Sequence, residues 1–105
     1  MKRFDVVRVE LDPTRGSESR KARPCLVISP DEVNAHLRTL IVAPLTTGGK
    51  PYPTRVACRF DGRDGQVVLD QPRTVDKARV IGALGRVDDA TQAAVLATLG
   101  ELFAP

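Results

Sequence analysis

The sequence has no tryptophan, one tyrosine and three phenylalanines in 105 residues. Its core must therefore come mostly from Val, Leu, Ile and Ala, and a chain this short cannot bury a large one. A homodimer sharing apolar surface would add to it. No apolar run approaches the roughly 20 residues of a membrane span, and the opening "MKRFDVVRVE" is basic but carries no signal-like apolar segment or cleavage site. A cytoplasmic protein with no membrane partner is expected. Cysteine is scarce too. Without a secretory signal, the two thiols, Cys25 and Cys58, read as small core residues rather than a disulfide. A zinc site wants closely spaced Cys or His ligands, whereas these cysteines lie far apart and His36 is the only histidine, so neither a metal nor another cofactor is expected. No stretch of Pro, Gly or Ser is long enough to divide the chain, which predicts one domain over residues 1–105.

The usual catalytic inventory is almost empty. There is no "GxSxG", no phosphate-loop glycine pattern and no His-paired nucleophile. An enzyme built this way would have to take its nucleophile from the substrate. RNA is the polymer that brings one, the 2′-hydroxyl beside each phosphate. Such a reaction needs the phosphate held in line, its developing charge stabilised and protons moved.

What is present is cationic and patterned for strands. Sixteen Lys and Arg stand against thirteen Asp and Glu, giving net +3, and the cations bunch at Arg15, Arg20, Lys21 and Arg23 and again at Arg73, Lys77 and Arg79. A polyanion is the natural partner, with an ordinary solvated face as the competing reading. In "FDVVRVEL", Val7, Val9 and Leu11 alternate with Arg8 and Glu10, predicting a strand over 4–11 with one buried face. The polar stretch "DPTRGSESRKA" is long for a connection in a compact domain, which invites a functional explanation. "PCLVIS" and "TLIVAPL" read as buried strands, and "PDEVNAHL", with Ser29 and Pro30 before its acids, as a short helical turn. "TRVACRF" and "QVVLDQ" flank the turn "DGRDG" and should form a hairpin. "RVIGALGRV" reads as a strand made irregular by Gly82 and Gly85. The last element, "DDATQAAVLATLGELF", is an amphipathic helix opened by capping aspartates, with Val95, Leu96, Leu99, Leu102 and Phe103 expected on one face. Many short strands and one closing helix predict a mainly β chain: a small, strongly twisted, partly open barrel with a C-terminal helix.

Arg23 stands directly before Pro24, and proline biases the preceding residue to an extended backbone. Its guanidinium is thus aimed from the beginning of a strand. A planar fork of five donors that stays charged suits a phosphate gaining charge in its transition state; a strand-edge arginine in a surface ion pair is the competing reading.

"LDPTRGSE", "RKARPCLVISP", "VAPLTT", "YPTRV", "VVLDQPRTVDKARV" and "LGRVDD" resemble, in this order and spacing, the MazF/PemK family of bacterial toxin endoribonucleases. The resemblance implies an SH3-like barrel working as a homodimer, metal-independent cleavage of single-stranded RNA, and neutralisation by an antitoxin with an acidic tail. It places the catalytic arginine on Arg23 and the catalytic threonine on Thr46. On a strand, Thr46 and Thr47 would point to opposite faces, so only one should share a groove with Arg23. It also links Glu18, in the first loop, to activity, either as a base for the 2′-hydroxyl or in ordering the loop. Candidates for RNA contact are Ser17, Arg20, Lys21, Thr47, Lys50, Gln71, Arg73, Thr74 and Lys77, while structural roles suit Asp70 and Asp76 at least as well. Ser19, Cys25 and Pro72 depart from the family's common pattern. The alternative from another class is a non-catalytic toxin of the same fold that binds DNA gyrase, since fold alone does not fix function. A further alternative, a plain nucleic-acid-binding barrel, would be expected to expose more aromatics for base stacking.

Overall fold

The structure, a computed structural model, describes residues 1–10 and 22–105. Strands β1 (Asp5–Glu10), β2 (Ala22–Val27) and β3 (Thr39–Thr46) form its centre, with the short helix α1 (Asp31–His36) between the last two. The hairpin β4 (Arg55–Phe60) and β5 (Arg63–Val68) follows, then β6 (Arg73–Asp76), a 3-10 turn over Lys77–Arg79, β7 (Val80–Arg86) and the C-terminal helix α2 (Asp89–Leu102). The strands are hydrogen-bonded in the order β4-β5-β3-β2-β1-β7, with β6 paired to β3. The sheet curls until β4 and β7 approach each other, and α2 packs on β4. This is the expected mainly β, SH3-like half-barrel with its closing helix.

Opposite its edge with β2, strand β3 serves two further partners. Residues 39–42 pair with β6 and residues 45–46 with β5. Pro44, which has no N–H to give, falls in the gap between them.

Side-chain alternation sorts the core into two clusters. Val6, Leu26, Ala43, Leu45, Val56, Cys58 and Val67 point into the barrel together with Val95 of α2. Val7, Val9, Cys25, Val27, Leu40 and Val42 point the other way, against Val75 of β6 and Val80 of β7. The expectation of one buried face on β1 is therefore corrected. Val6 is as buried as Val7, because β6 and β7 close over the face opposite the barrel interior. Leu11 lies outside the described residues.

The hairpin turn is tighter than "DGRDG" predicts. Phe60 pairs with Arg63, leaving only Asp61 and Gly62 in the turn, with φ of +50° and +71°. Two successive residues at positive φ make the type I′ turn whose twist suits a hairpin, and Asp-Gly supplies both. The second Asp-Gly, residues 64–65, stays in the ladder opposite Arg59 and Cys58. Strand β6 had no alternating pattern to announce it. It forms because Leu40 and Ile41 offer their free edge to Val75 and Thr74.

Helix α2 is capped as expected: the Asp88 carboxylate accepts from Thr91 N at 2.8 Å, and hydrogen bonding from the Thr91 side chain, then from its backbone, holds the Asp88 pKa below the ordinary carboxylate value. Its buried stripe is narrower than expected. Thr91 and Val95 are buried and Leu99 packs beside them, whereas Leu96 and Phe103 are exposed. Leu96 lies a third of a turn away from Val95, and Phe103 is already past the last helical residue. In α1, Ser29 does not cap the helix; it is buried, hydrogen-bonds Asn34, and its Oγ accepts from Ile41 N at 3.0 Å. Both cysteines are free and buried.

Candidate active site

Arg23 is held extended in β2, opposite Val9 of β1, as the following proline requires. The β2–β3 ladder ends at Cys25 and Pro44. Two residues further along each strand, the same register sets Arg23 across from Thr46. Thr46 is fixed from its other side by pairing with Gln66 of β5.

Arg23 stands where two depressions meet. One, of about 430 Å³, is lined by Arg23, Cys25, Val42, Pro44, Gln71, Pro72 and Arg73. The other, of about 370 Å³, holds Arg23, Thr46 and Thr47 together with Arg8, Arg63 and an apolar floor of Leu45, Phe60 and Leu84. Both threonines thus share a depression with Arg23, and the expectation that only one can do so is corrected. Strand β3 ends at Thr46, so Thr47 sits in a bend where strict alternation no longer applies. Thr46 Oγ1 donates to Gly48 O at 2.9 Å, a bond that uses its proton and keeps its lone pairs as acceptors.

The remaining sequence candidates divide clearly. Gln71 and Arg73 join Arg23 in the first depression. Thr74 lies one step away, lining an apolar neighbour of that depression with Ile41, Leu99 and Phe103. Lys50 is exposed beyond the end of β3 and lines neither depression at Arg23. Lys77 is turned to another task, its ammonium donating to the Asn34 carbonyl of α1. Asp76 caps the 3-10 turn by accepting from Ala78 N at 2.8 Å. Asp70 accepts from Thr54 Oγ1 at 3.2 Å and lies 3.8 Å from Arg55 Nε. Those two aspartates have the structural roles that the sequence left open. Ser17, Glu18, Arg20 and Lys21 lie outside the described residues.

Sequence reasoning missed Arg8, Arg63 and Gly65. Arg8 reads as an outward residue of β1 until its pairing with Pro24 puts it beside Arg23. Arg63 was hidden in the stretch expected to be a turn. Gly65 allows β5 to press against the site: a methyl group on it would lie 2.3 Å from the Thr46 carbonyl oxygen and 2.8 Å from the Phe60 ring. Gly65→Ala must push β5 away from Thr46. It should cost about 1–3 kcal/mol, the usual penalty of overpacking, read as a lower urea midpoint. An unchanged midpoint would mean the approach is not tight.

Cys25 lies beneath this surface, and its chemistry is quenched. Burial pushes its thiol up to about 11 against the opposing pull of Arg73 and Arg23, and burial with the nearby Asp88 charge takes Cys58 to about 11 as well. Both thiols are protonated at neutral pH and make poor nucleophiles. Relative to the ordinary value of 9.0, the folded state holds these protons more tightly. The thiols' contribution to stability is therefore complete below pH 9 and is lost as pH rises toward 11. Iodoacetamide at pH 7.5 should leave both cysteines unlabelled in the native protein and label both in denaturant, by mass spectrometry. Rapid native labelling of Cys25 would contradict its burial.

The exposed arginine, the adjoining hydroxyls and the cationic rims give this small curled β barrel a surface suited to an anion. Residues 2–103 match the family described as PemK-like, MazF-like toxin of type II toxin-antitoxin system, and the chain belongs to that family. It is similar to endoribonuclease PemK of Escherichia coli, 38% identical over 109 residues covering 98% of this chain and 82% of that protein. Endoribonuclease EndoA of Bacillus subtilis (strain 168) is 39% identical over 95 residues, 85% of this chain and 82% of that protein. Among solved structures, an endoribonuclease in complex with its cognate antitoxin from Mycobacterial species superposes with a TM-score of 0.84 at 29% identity, covering 100% of this chain and 97% of the other. MazF from Deinococcus radiodurans gives 0.80 at 28% identity, covering 100% and 97%.

Proposed function

We propose that this chain is the toxin of a type II toxin–antitoxin pair and an endoribonuclease that cuts single-stranded RNA through the substrate's own 2′-hydroxyl. The observation that carries the reading is the placing of Arg23 at the junction of two depressions, between the Thr46 and Thr47 hydroxyls on one side and Gln71 and Arg73 on the other. An extended polyanion crossing that junction would lay a phosphate on Arg23. Attack of the 2′-oxygen on that phosphorus expels the 5′-oxygen and closes a 2′,3′-cyclic phosphate. The charge that grows on the non-bridging oxygens is met by the guanidinium fork. A guanidinium presents five donors and no acceptor, so that group is a clamp and at most a proton donor to the leaving oxygen. Thr46 fixes the phosphate by hydrogen bonding once its hydroxyl leaves Gly48, or accepts from the 2′-hydroxyl as it stands. Glu18, outside the described residues, is the candidate base for the 2′-hydroxyl, with ordering of the first loop as its alternative role.

The same reading includes a homodimer and an antitoxin partner. Ile41 and Phe103 are exposed apolar residues of the kind a subunit interface covers. An acidic antitoxin tail would compete with RNA for the cationic rims. The test is cleavage of a long defined single-stranded RNA in EDTA, followed by sequencing of the new ends. Discrete cuts bearing 5′-hydroxyls are expected. Intact RNA, or cutting only with added divalent metal, would overturn the reading.

A further inference from the structure

The second depression is the mouth of the barrel. Six of the seven strands contribute a residue there: Arg8 from β1, Pro24 from β2, Leu45 from β3, Phe60 from β4, Arg63 from β5 and Leu84 from β7. Leu45 belongs to the barrel core, and Phe60 and Leu84 pack against it, so the floor is the exposed end of the hydrophobic interior. The rim carries three guanidinium groups, from Arg8, Arg23 and Arg63, against one carboxylate, Asp61. Among the described residues, no ion pair engages any of the three. Gly82 stands opposite Arg8 on β7 without a side chain to crowd it; even a methyl group there would only touch the Arg8 Cβ, at 4.0 Å. Barrel mouths are common places for small-ligand sites, and about 370 Å³ lies within their usual range of roughly 300–1,000 Å³.

We infer that the barrel mouth is a nucleotide subsite adjoining the scissile phosphate, in which Arg8 and Arg63 hold a flanking phosphate while the floor of Phe60, Leu45 and Leu84 takes the base. The inference rests on the RNA-cleaving reading and extends it to two arginines that reading does not use. An apolar floor ringed by cations matches a nucleotide's two halves, a flat π-face and a phosphate anion, better than it matches a carboxylate side chain. Continuity decides the placement. Arg23 lines the mouth as well as the first depression, so a chain whose phosphate lies on Arg23 has its next nucleotide within reach of Arg8 and Arg63.

The test uses the full-length chain and a short RNA spanning a mapped cut site, made uncleavable by a 2′-deoxy substitution there. Binding is read by fluorescence anisotropy across a salt series. The variant is Arg8→Gln combined with Arg63→Gln, with Arg63→Gln alone in reserve should the double variant unfold. Arg59→Gln, on the same hairpin but outside the mouth, is the control for loss of one charge, matched to Arg63→Gln alone. The double variant should bind about tenfold more weakly at moderate salt, consistent with losing charge-assisted contacts. Its log–log salt slope should be shallower by about 0.7, the value for one phosphate contact on a single strand. On cleavable RNA, KM should rise with little change in kcat. Trimming the RNA back to the cut site from one end, and not from the other, should erase the difference between variant and wild type. Wild-type cleavage with an unaltered double variant would overturn the subsite alone, and so would a loss that Arg59→Gln matches or that persists on RNA trimmed from either end. Wild-type protein that leaves RNA uncut would overturn the nuclease reading and the subsite together.

Discussion

An RNA carrying hydrogen in place of the 2′-hydroxyl at the cut site is expected to survive intact, while the same strand substituted one nucleotide away is still cut. The expectation follows from what this protein lacks. It has a single histidine, at the exposed end of α1. Its two thiols are buried and protonated at neutral pH. Among the described residues lining the depressions at Arg23, the hydroxyl groups are those of threonines, and no histidine lines either depression to activate them. If the attacking oxygen belongs to the substrate, deleting it removes the reaction altogether rather than slowing it. The 2′-deoxy strand should still bind, because phosphates and bases supply the contacts, and so act as a competitive inhibitor of the all-ribose strand. Cleavage of the substituted strand would mean that a protein group or water attacks.

Arg23→Lys is expected to lower the cleavage rate by on the order of 10²–10³, the cost of removing one transition-state donor in well-studied enzymes, while RNA affinity falls far less. Lysine keeps the charge and loses the fork. In the ground state the phosphate already has its charge, and an ammonium attracts it nearly as well. In the transition state, charge spreads over oxygens that a planar guanidinium can meet in pairs. The loss should therefore fall on kcat. Thr46→Val should act in the same direction. Thr47→Val should be milder: both threonines line the same depression, but Thr46 alone is anchored in the sheet, by its pairing to Gln66, and tied to Gly48. Equal losses at 46 and 47 would undo that assignment. A large fall in affinity for Arg23→Lys would make Arg23 a binding residue rather than a clamp on the transition state.

The sequence by itself determined the strands whose alternation is regular, the capped C-terminal helix, the burial of both cysteines and the extended setting of Arg23. Each rests on local chemistry: a period of two, an aspartate before a helical run, a thiol in an apolar strand, a proline that restrains the residue before it. Only the tertiary structure decided the rest. Strand β6 exists because β3 offers an edge to it, and no alternation within "RTVD" announces that. Val6 is buried because the sheet is covered on both faces, while Leu96 and Phe103 are exposed because α2 presents a narrow stripe to β4. Thr47 joins Thr46 because β3 ends between them, and Lys77 turns to α1 because the chain after β6 runs beside that helix. Arg8 and Arg63, 55 positions apart in the numbering, meet Arg23 at one mouth only once the sheet has curled. Pattern within a strand records what its own neighbours require; which strand ends come together is set by long-range pairing and closure, and no local run of residues records that.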